Sequence, residues 1–312
     1  MSAPSSGGAS RDGYGAALLD LAVDERVVVL EADLGKSTKS CHFRAEYPER
    51  TVSLGIAEQN MVLVSAGLAS CGKIPFASTF AIFSERAFEQ VRNGVARPGL
   101  VAHFCGSHGG THTGTDGSSA QSIEDLAIYR TIPGMTVMHP SDDISTRELT
   151  KQLLKHDFPS YTRTARNKTP RLYDDESVRK LKIGKGSILR EGSDIAIFSC
   201  GVMVHKALLA AELISKEGIE VTVVDMHTIK PLDFELIDRL SKDVKGFVTV
   251  EDHSVIGGLG SAISEYVSSK NPIKVIKIGV EDKFGESGES EELLDIMGLT
   301  IERIAESCRE IL

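Results

Sequence analysis

Four stretches of the 312-residue chain collect the side chains able to do chemistry. The first, Glu31-Ala-Asp-Leu-Gly-Lys-Ser-Thr-Lys39, places Asp33 and Ser37 in a polar turn after an apolar run. The second, Gly55-Ile-Ala-Glu-Gln-Asn-Met61, puts Glu58 at the start of an apolar helix. An acid there commonly serves the helix dipole and the free amides of the first turn. With Gly55 and Ile56 before it and Met61, Val62 and Leu63 after it, the same carboxyl is also suited to sharing a proton. The third stretch carries Phe80 and Phe83, and the fourth, residues 105–121, holds five glycines with His108 and His112. The two histidines have the i, i+4 spacing of a helical metal pair. The glycines argue against a helix, however, and no third ligand stands nearby, so no metal site is expected and both rings read as pocket donors. Arg163 and Arg166 end a strand, where two planar donors serve either solvent or a bound phosphate. The glycine run after His253 is not G-x-G-x-x-G and reads as a tight turn opening a helix.

These groups need a scaffold that brings strand ends together. Strand-length apolar runs at residues 27–33, 74–79, 100–105, 135–138 and 160–164 alternate with helical stretches at 57–71, 84–96, 121–130 and 142–156. Residues 167–186 are charged and aperiodic, and the alternation restarts at 194–200, 220–225, 246–251 and 273–278. Near-continuous apolar strands separated by helices specify parallel sheets covered on both faces. The expected architecture is therefore α/β, two doubly wound parallel-sheet domains. The expected boundaries are a disordered tail at 1–10, domains at 11–166 and 187–312, and a linker at 167–186. Ligands of such sheets bind past the carboxyl ends of the strands, where the four stretches lie.

Composition narrows the class. Lys and Arg total 35 against 44 Asp and Glu, a net charge of −9, which argues against general binding to nucleic acid or anionic membranes. No run reaches the roughly 18 apolar residues of a membrane span, and the first ten residues lack the apolar core of a secretion signal. Five dispersed cysteines without C-x-x-C fit neither a disulfide framework nor zinc, so a cytoplasmic location is expected.

In order and spacing, the residues resemble the C-terminal half of transketolase in its split, two-chain form. The anchors are Ala32-Asp-Leu, Gly55-Ile-Ala-Glu-Gln-Asn-Met, Thr79-Phe-x-x-Phe, Thr115-Asp-Gly, Ile123-Glu-Asp-Leu-Ala and Ile132-Pro-Gly-Met-Thr-Val. Ile229-Lys-Pro-Leu-Asp and Val250-Glu-Asp-His-x-x-x-Gly-Gly-Leu-Gly continue the match to the end. The resemblance implies a pyrimidine-binding domain of thiamine-diphosphate enzymes followed by a transketolase C-terminal domain. It makes Glu58 the catalytic partner of the cofactor's aminopyrimidine ring nitrogen, favouring the tautomer that draws a proton from the thiazolium carbon. Phe80 and Phe83 match the wall around the pyrimidine; Arg86 stands at a wall position that is often aromatic, and Asp33 matches an aspartate near the thiazolium. Arg11, Ser37, His108 and Arg163 match phosphate donors, with His108 also placed at the reacting centre. Asp116 matches a selector of sugar hydroxyls, and His112 and Arg166 are added substrate contacts.

The same resemblance implies a transferase of carbohydrate metabolism, in the pentose phosphate pathway, that moves a two-carbon ketol unit between sugar phosphates. The family's Gly-Asp-Gly diphosphate motif is missing here, so Mg²⁺ and the diphosphate are expected on an N-terminal partner, thiamine diphosphate being shared across the interface of an α2β2 assembly. The rivals are the β subunit of a 2-oxo acid dehydrogenase decarboxylase, with an equivalent glutamate, and a non-catalytic regulatory subunit. Two departures bear on substrate: Ala120 stands where a histidine near the reacting carbons is usual, and Thr115 replaces a common glutamate. Ala120→His, assayed with the partner present, should shift the rate or the donor preference; unchanged kinetics would show that the missing imidazole is unimportant.

Overall fold

Residues 7–312 are described by the computed structural model, and they form two α/β domains. The strands of the first are β1 (Gly8–Ala9), β2 (Val27–Glu31), β3 (Thr51–Ser53), β4 (Ile74–Phe80), β5 (His103–Ser107), β6 (Thr136–Met138), β7 (Ser160–Thr164) and β8 (Lys168–Thr169). Those of the second are β9 (Ser187–Arg190), β10 (Ile195–Ser199), β11 (Val221–Asp225), β12 (Thr228–Lys230), β13 (Gly246–Ser254) and β14 (Lys274–Val280). The larger sheet runs β12-β6-β7-β5-β4-β2-β3 and is parallel except for β12; the smaller runs β14-β13-β10-β11-β9 and is parallel except for β9.

Side chains alternate across a strand, and both sheets use the alternation to bury two faces. In the larger sheet Val28, Leu30, Phe104 and Val137 pack into one core, while Val27, Val29, Cys105 and Met138 pack into another. In the smaller sheet Ala196, Phe198, Val224 and Phe247 enter the first of these cores, and Ile195, Ile197, Val223 and Val248 fill a third. One hydrophobic core is thus shared by both sheets. The larger sheet also takes its edge strand from the second domain: β12 pairs with β6, and Lys230 Nζ donates to the carbonyls of Arg130 (2.9 Å) and Ile132 (2.5 Å).

Three expectations change. Residues 1–6 of the expected tail lie outside the described residues, but Gly8 and Ala9 pair antiparallel with Thr169 and Lys168. Gly8 sits against the Asp143 carboxylate, where an added Cβ would come within 2.4 Å, so only glycine permits this approach. The stretch read as a linker is a packed strap: Tyr173, Val178 and Leu181 are buried, and Leu172 N–H donates to Asp142 Oδ2 at 2.7 Å. Its apolar residues follow no period because they meet an existing core edge rather than forming a helix or strand face. The single helix expected at 84–96 is instead Ala81–Glu85, Phe88–Gln90 and a π turn at Val91–Ala96, interrupted at Ala87 (φ −100°, ψ 13°).

Polar groups line the seam between the domains. Asp225 accepts hydrogen bonds from Ser141 Oγ and Tyr173 OH, each 2.8 Å, and burial pushes its carboxyl up to about 7. Burial holds His103 down at about 3, His227 at about 4 and His139 well below the ordinary imidazole value. The unfolded chain binds protons at these rings near pH 6.5 while the folded chain does not, so this stability is complete above that pH and lost as pH falls through the window. Asp225 acts oppositely: its folded form keeps the proton up to about pH 7 while the unfolded carboxyl loses it near 3.8, so stability falls as pH rises through that range. In thermal unfolding across this acid range, His227→Gln should flatten the loss of Tm on acidification and Asp225→Asn should steepen it.

Candidate active site

The carboxyl ends of β2, β4, β5 and β7 and the start of the helix Glu58–Ser70 converge, as parallel-strand geometry requires. Glu58 occupies the first helical position, where Ala57 offers no side-chain cap, and is only 2% exposed. Its Oε2 is buried without a hydrogen-bond partner, and the nearest cation, Arg86 Nη1, is 3.8 Å away on a mostly exposed side chain. Leaving a buried acceptor unpaired costs on the order of 1–3 kcal/mol, so this oxygen is suited to a donor that arrives with a ligand. Met61 and Val62 supply the apolar packing expected around Glu58, whereas Ile56 points to solvent.

Beside it stands a stack of three rings. Phe80 and Phe83 lie 5.5 Å apart and nearly parallel, and the His108 imidazole lies 3.9 Å from Phe80 on a similar plane. Arg86 belongs to no wall: its guanidinium faces the Glu58 carboxylate and its carbonyl accepts from Gln59 Nε2. His108 adopts φ +63°, a left-handed conformation that costs a non-glycine residue free energy and persists only where the surroundings impose it. Its Nδ1 pairs with Ser107 Oγ at 2.9 Å. Burial, with Arg11 and Arg166 nearby, holds the imidazole down at about 3.

Two guanidiniums therefore converge on a neutral histidine. Arg11 Nη1 donates to the carbonyl of Ser37 (3.1 Å), its Nε is buried and unpaired, and burial lowers its pKa with a further contribution from Arg166. Arg166 donates to Thr113 O and Thr115 Oγ1 and lies 3.7 Å from Asp116 Oδ1. Asp33, exposed at φ +60°, and Ser37 line an adjoining cavity of about 370 Å³ with Lys36 and Arg44. Arg11, Ser37, Asp33, His108, Asp116 and Arg166 thus occupy one region.

Two expected contacts lie elsewhere. Arg163 is fully buried, with Nη1 on Asp252 O (2.8 Å), Nη2 on Ser122 O (2.7 Å) and Nε 3.4 Å from Asp125 Oδ2. Its donors are committed beneath the loop, so it does not meet a substrate phosphate; Arg166, three residues on, has the exposure that role needs. The His112 ring turns toward the second domain, 3.7 Å from Glu291 Oε1, and lines a separate cavity with Lys168 and Lys206. It neither joins His108 nor stands in for the imidazole missing at Ala120, and no metal-binding cluster of three or more ligands occurs among the described residues.

Glu85 is a site residue that the sequence reading does not include. It shares a short hydrogen bond with Ser122 Oγ, and burial pushes its carboxyl up to about 8 despite that bond. Its position two residues after Phe83 is the one local signal, but its partner is 37 residues away.

A family model of the transketolase pyrimidine-binding domain matches residues 8–171, and one of the transketolase C-terminal domain matches residues 184–304. These define an α/β chain of the pyrimidine-binding, C-terminal-domain type. The chain belongs to the transketolase family. A protein named putative transketolase C-terminal section, from Methanocaldococcus jannaschii, is 45% identical over 96% of this chain and 95% of its own length. The 6-deoxy-6-sulfo-D-fructose transketolase subunit SqwH of Clostridium sp. (strain MSTE9) is 41% identical over 96% and 94%. Homo sapiens transketolase is 36% identical over 97% of this chain but 49% of that protein, so the chain spans about half the length of this relative. A solved split gene transketolase, an inactive beta4 tetramer, superposes with a TM-score of 0.89 at 41% identity, covering 98% of this chain and 99% of that one.

The His108 ring should keep the NMR signature of neutral imidazole down to about pH 4.5. Replacing Arg11 and Arg166 together with methionine should move its titration upward, because both cations oppose protonation; an unchanged midpoint would remove them from its surroundings.

Proposed function

We propose that this chain is the C-terminal subunit of a two-chain, thiamine-diphosphate-dependent transketolase, transferring a two-carbon ketol unit from a ketose phosphate to an aldose phosphate. The observation that carries this reading is the buried, unpartnered Oε2 of Glu58 beside the ring stack of Phe80, Phe83 and His108. A flat heteroaromatic ring with a protonatable nitrogen fits both features. The chemistry supplied by thiamine diphosphate, which the family implies, is attack on a ketose carbonyl and storage of the electron pair released when the adjacent carbon–carbon bond breaks.

The chain's own residues do the rest. Glu58 holds the shared proton at Oε2, and its burial keeps water from competing for it. Phe80 and Phe83 orient the ring plane. His108, neutral at working pH, gives or takes a hydrogen bond at a substrate oxygen without adding charge. Arg11 and Arg166, with Ser37, receive the terminal oxyanion, and Asp116 accepts from a sugar hydroxyl while partly balancing Arg166. Asp33 completes the pocket on the thiazolium side. Mg²⁺ and the diphosphate belong to an N-terminal partner chain in a proposed cytoplasmic α2β2 assembly. This is supported by the missing Gly-Asp-Gly and by the half-length match to human transketolase. The inactive state of the similar beta4 tetramer agrees. No helix among the described residues is long and apolar enough to cross a membrane.

The Clostridium relative, named for a sulfosugar, makes the nature of the oxyanion a specific question. Two guanidiniums suit a sulfonate as well as a phosphate. The purified chain should be inactive alone and active once its partner is added, with xylulose 5-phosphate and ribose 5-phosphate or with 6-deoxy-6-sulfofructose as donor. Turnover of pyruvate with an electron acceptor instead would favour the decarboxylase rival. Glu58→Gln should lower kcat of the complex by about 10²- to 10⁴-fold; full activity would favour the non-catalytic reading.

A further inference from the structure

Three consecutive ionisable residues, Glu251, Asp252 and His253, lie buried at the end of β13 in the second domain, each at most 1% exposed. Such groups stay buried only when fully engaged, and each has a different engagement. Glu251 accepts the N–H groups of Leu259 (2.7 Å) and Gly260 (2.8 Å), closing the start of its own domain's helix Leu259–Lys270. His253 Nδ1 donates to Ser254 O at 2.7 Å, which leaves Nε2 to accept the Ala127 N–H of the first domain at 3.3 Å. Asp252 is given over entirely to the first domain. Its Oδ1 accepts from Thr111 N–H (2.9 Å) and Thr111 Oγ1 (2.7 Å), and its Oδ2 accepts from His112 N–H (2.9 Å).

The segment it holds is the one that carries His108 and Asp116. Gly110, at φ +81°, donates to Ser122 O at 2.6 Å, and an added Cβ would come within 2.2 Å of Asp252 Oδ2. Thr113 Oγ1 closes the turn on His108 O at 2.7 Å, so the carboxylate grips the loop two to four residues beyond the strained His108. Arg163 Nη1 binds the main-chain carbonyl of the same Asp252 from below.

We infer that Asp252 is a positioning residue: through three hydrogen bonds to Thr111 and His112, the second domain seats the first domain's active-site loop and keeps His108 in its strained, ring-stacked place. This rests on the transketolase reading for its kinetic consequence, but not for its structural one. A loop released from Asp252 is seated only part of the time. Apparent substrate affinity then falls by the seated fraction, while bound substrate re-seats the loop, so KM moves more than kcat.

The test is Asp252→Asn in the complex reconstituted with the partner chain, where an amide nitrogen replaces an acceptor facing a donor N–H. KM for the ketose donor should rise about tenfold or more while kcat changes less than about threefold. Hydrogen exchange of the Thr111 and His112 amides in the isolated chain should accelerate by a similar factor. Asp225→Asn, a buried carboxylate off the loop, should lower Tm while leaving KM and both amides within about twofold, which separates positioning from general stability. Gly110→Ala probes the same contact from the loop side, should reproduce the KM effect and decides the matter if Asp252→Asn fails to fold. Unchanged KM and unchanged amide protection in either folded variant overturns the proposal. If the wild-type complex turns over no ketose, the transketolase reading fails, and the amide exchange alone decides the role of Asp252.

Discussion

The buried guanidinium of Arg163 is the constraint on which the rest of the molecule depends. Removing such a charge from water costs several kcal/mol unless its donors are met and a counter-charge stands close. Here the requirement is satisfied jointly: Ser122 and Asp125 come from one domain and the Asp252 carbonyl from the other. Tyr161 OH, 2.8 Å from Asp125 Oδ2, completes the support. No single domain can satisfy this arginine, so docking of the domains and burial of the charge are one event. The active-site loop lies directly above it and takes its shape from both.

The same logic explains why the seam is polar around a shared apolar core. A seam made only of aliphatic contacts would tolerate sliding, whereas directed bonds admit one arrangement. Asp225, held by Ser141 and Tyr173, and Lys230, held by Arg130 and Ile132, each fix the second domain or the strap against the first at a different height. Precision at the site is thereby inherited from groups far from it. Phe80 stacks on His108 because β4 and β5 are adjacent; His108 stays in register because the turn beyond it, at Thr111 and His112, is gripped from across the seam.

The strands of both domains were legible because buried parallel strands write themselves as short apolar runs, and the two-domain α/β plan and the family resemblance rest on them. The features that stayed hidden depend on long-range partners. β12 is a three-residue strand whose pairing to β6 has no local signal. Arg163 and Arg166 look alike at the end of a strand, and the difference between them is Asp252, almost ninety residues later, drawing the first one inward. His112 looks like a companion to His108 in the sequence, but Asp252 turns its backbone and Glu291 receives its ring. The burial of Glu58, by contrast, could be read from its immediate neighbours, since Met61 and Val62 lie one turn on and pack beside it.

The exchange of β12 between domains has a consequence for how this chain can be divided. A cut in the strap would leave β6 as a bare sheet edge, and unpaired edges invite association with other chains. It would also halve the core that both sheets share and strand Arg163 without its carbonyl. The two domains are therefore separate in topology but a single unit of modularity, fit to be inherited, expressed or transplanted together. Movement needed during turnover must fall on loops or at contacts with other chains, because the joint between these domains is a continuation of a sheet rather than a hinge.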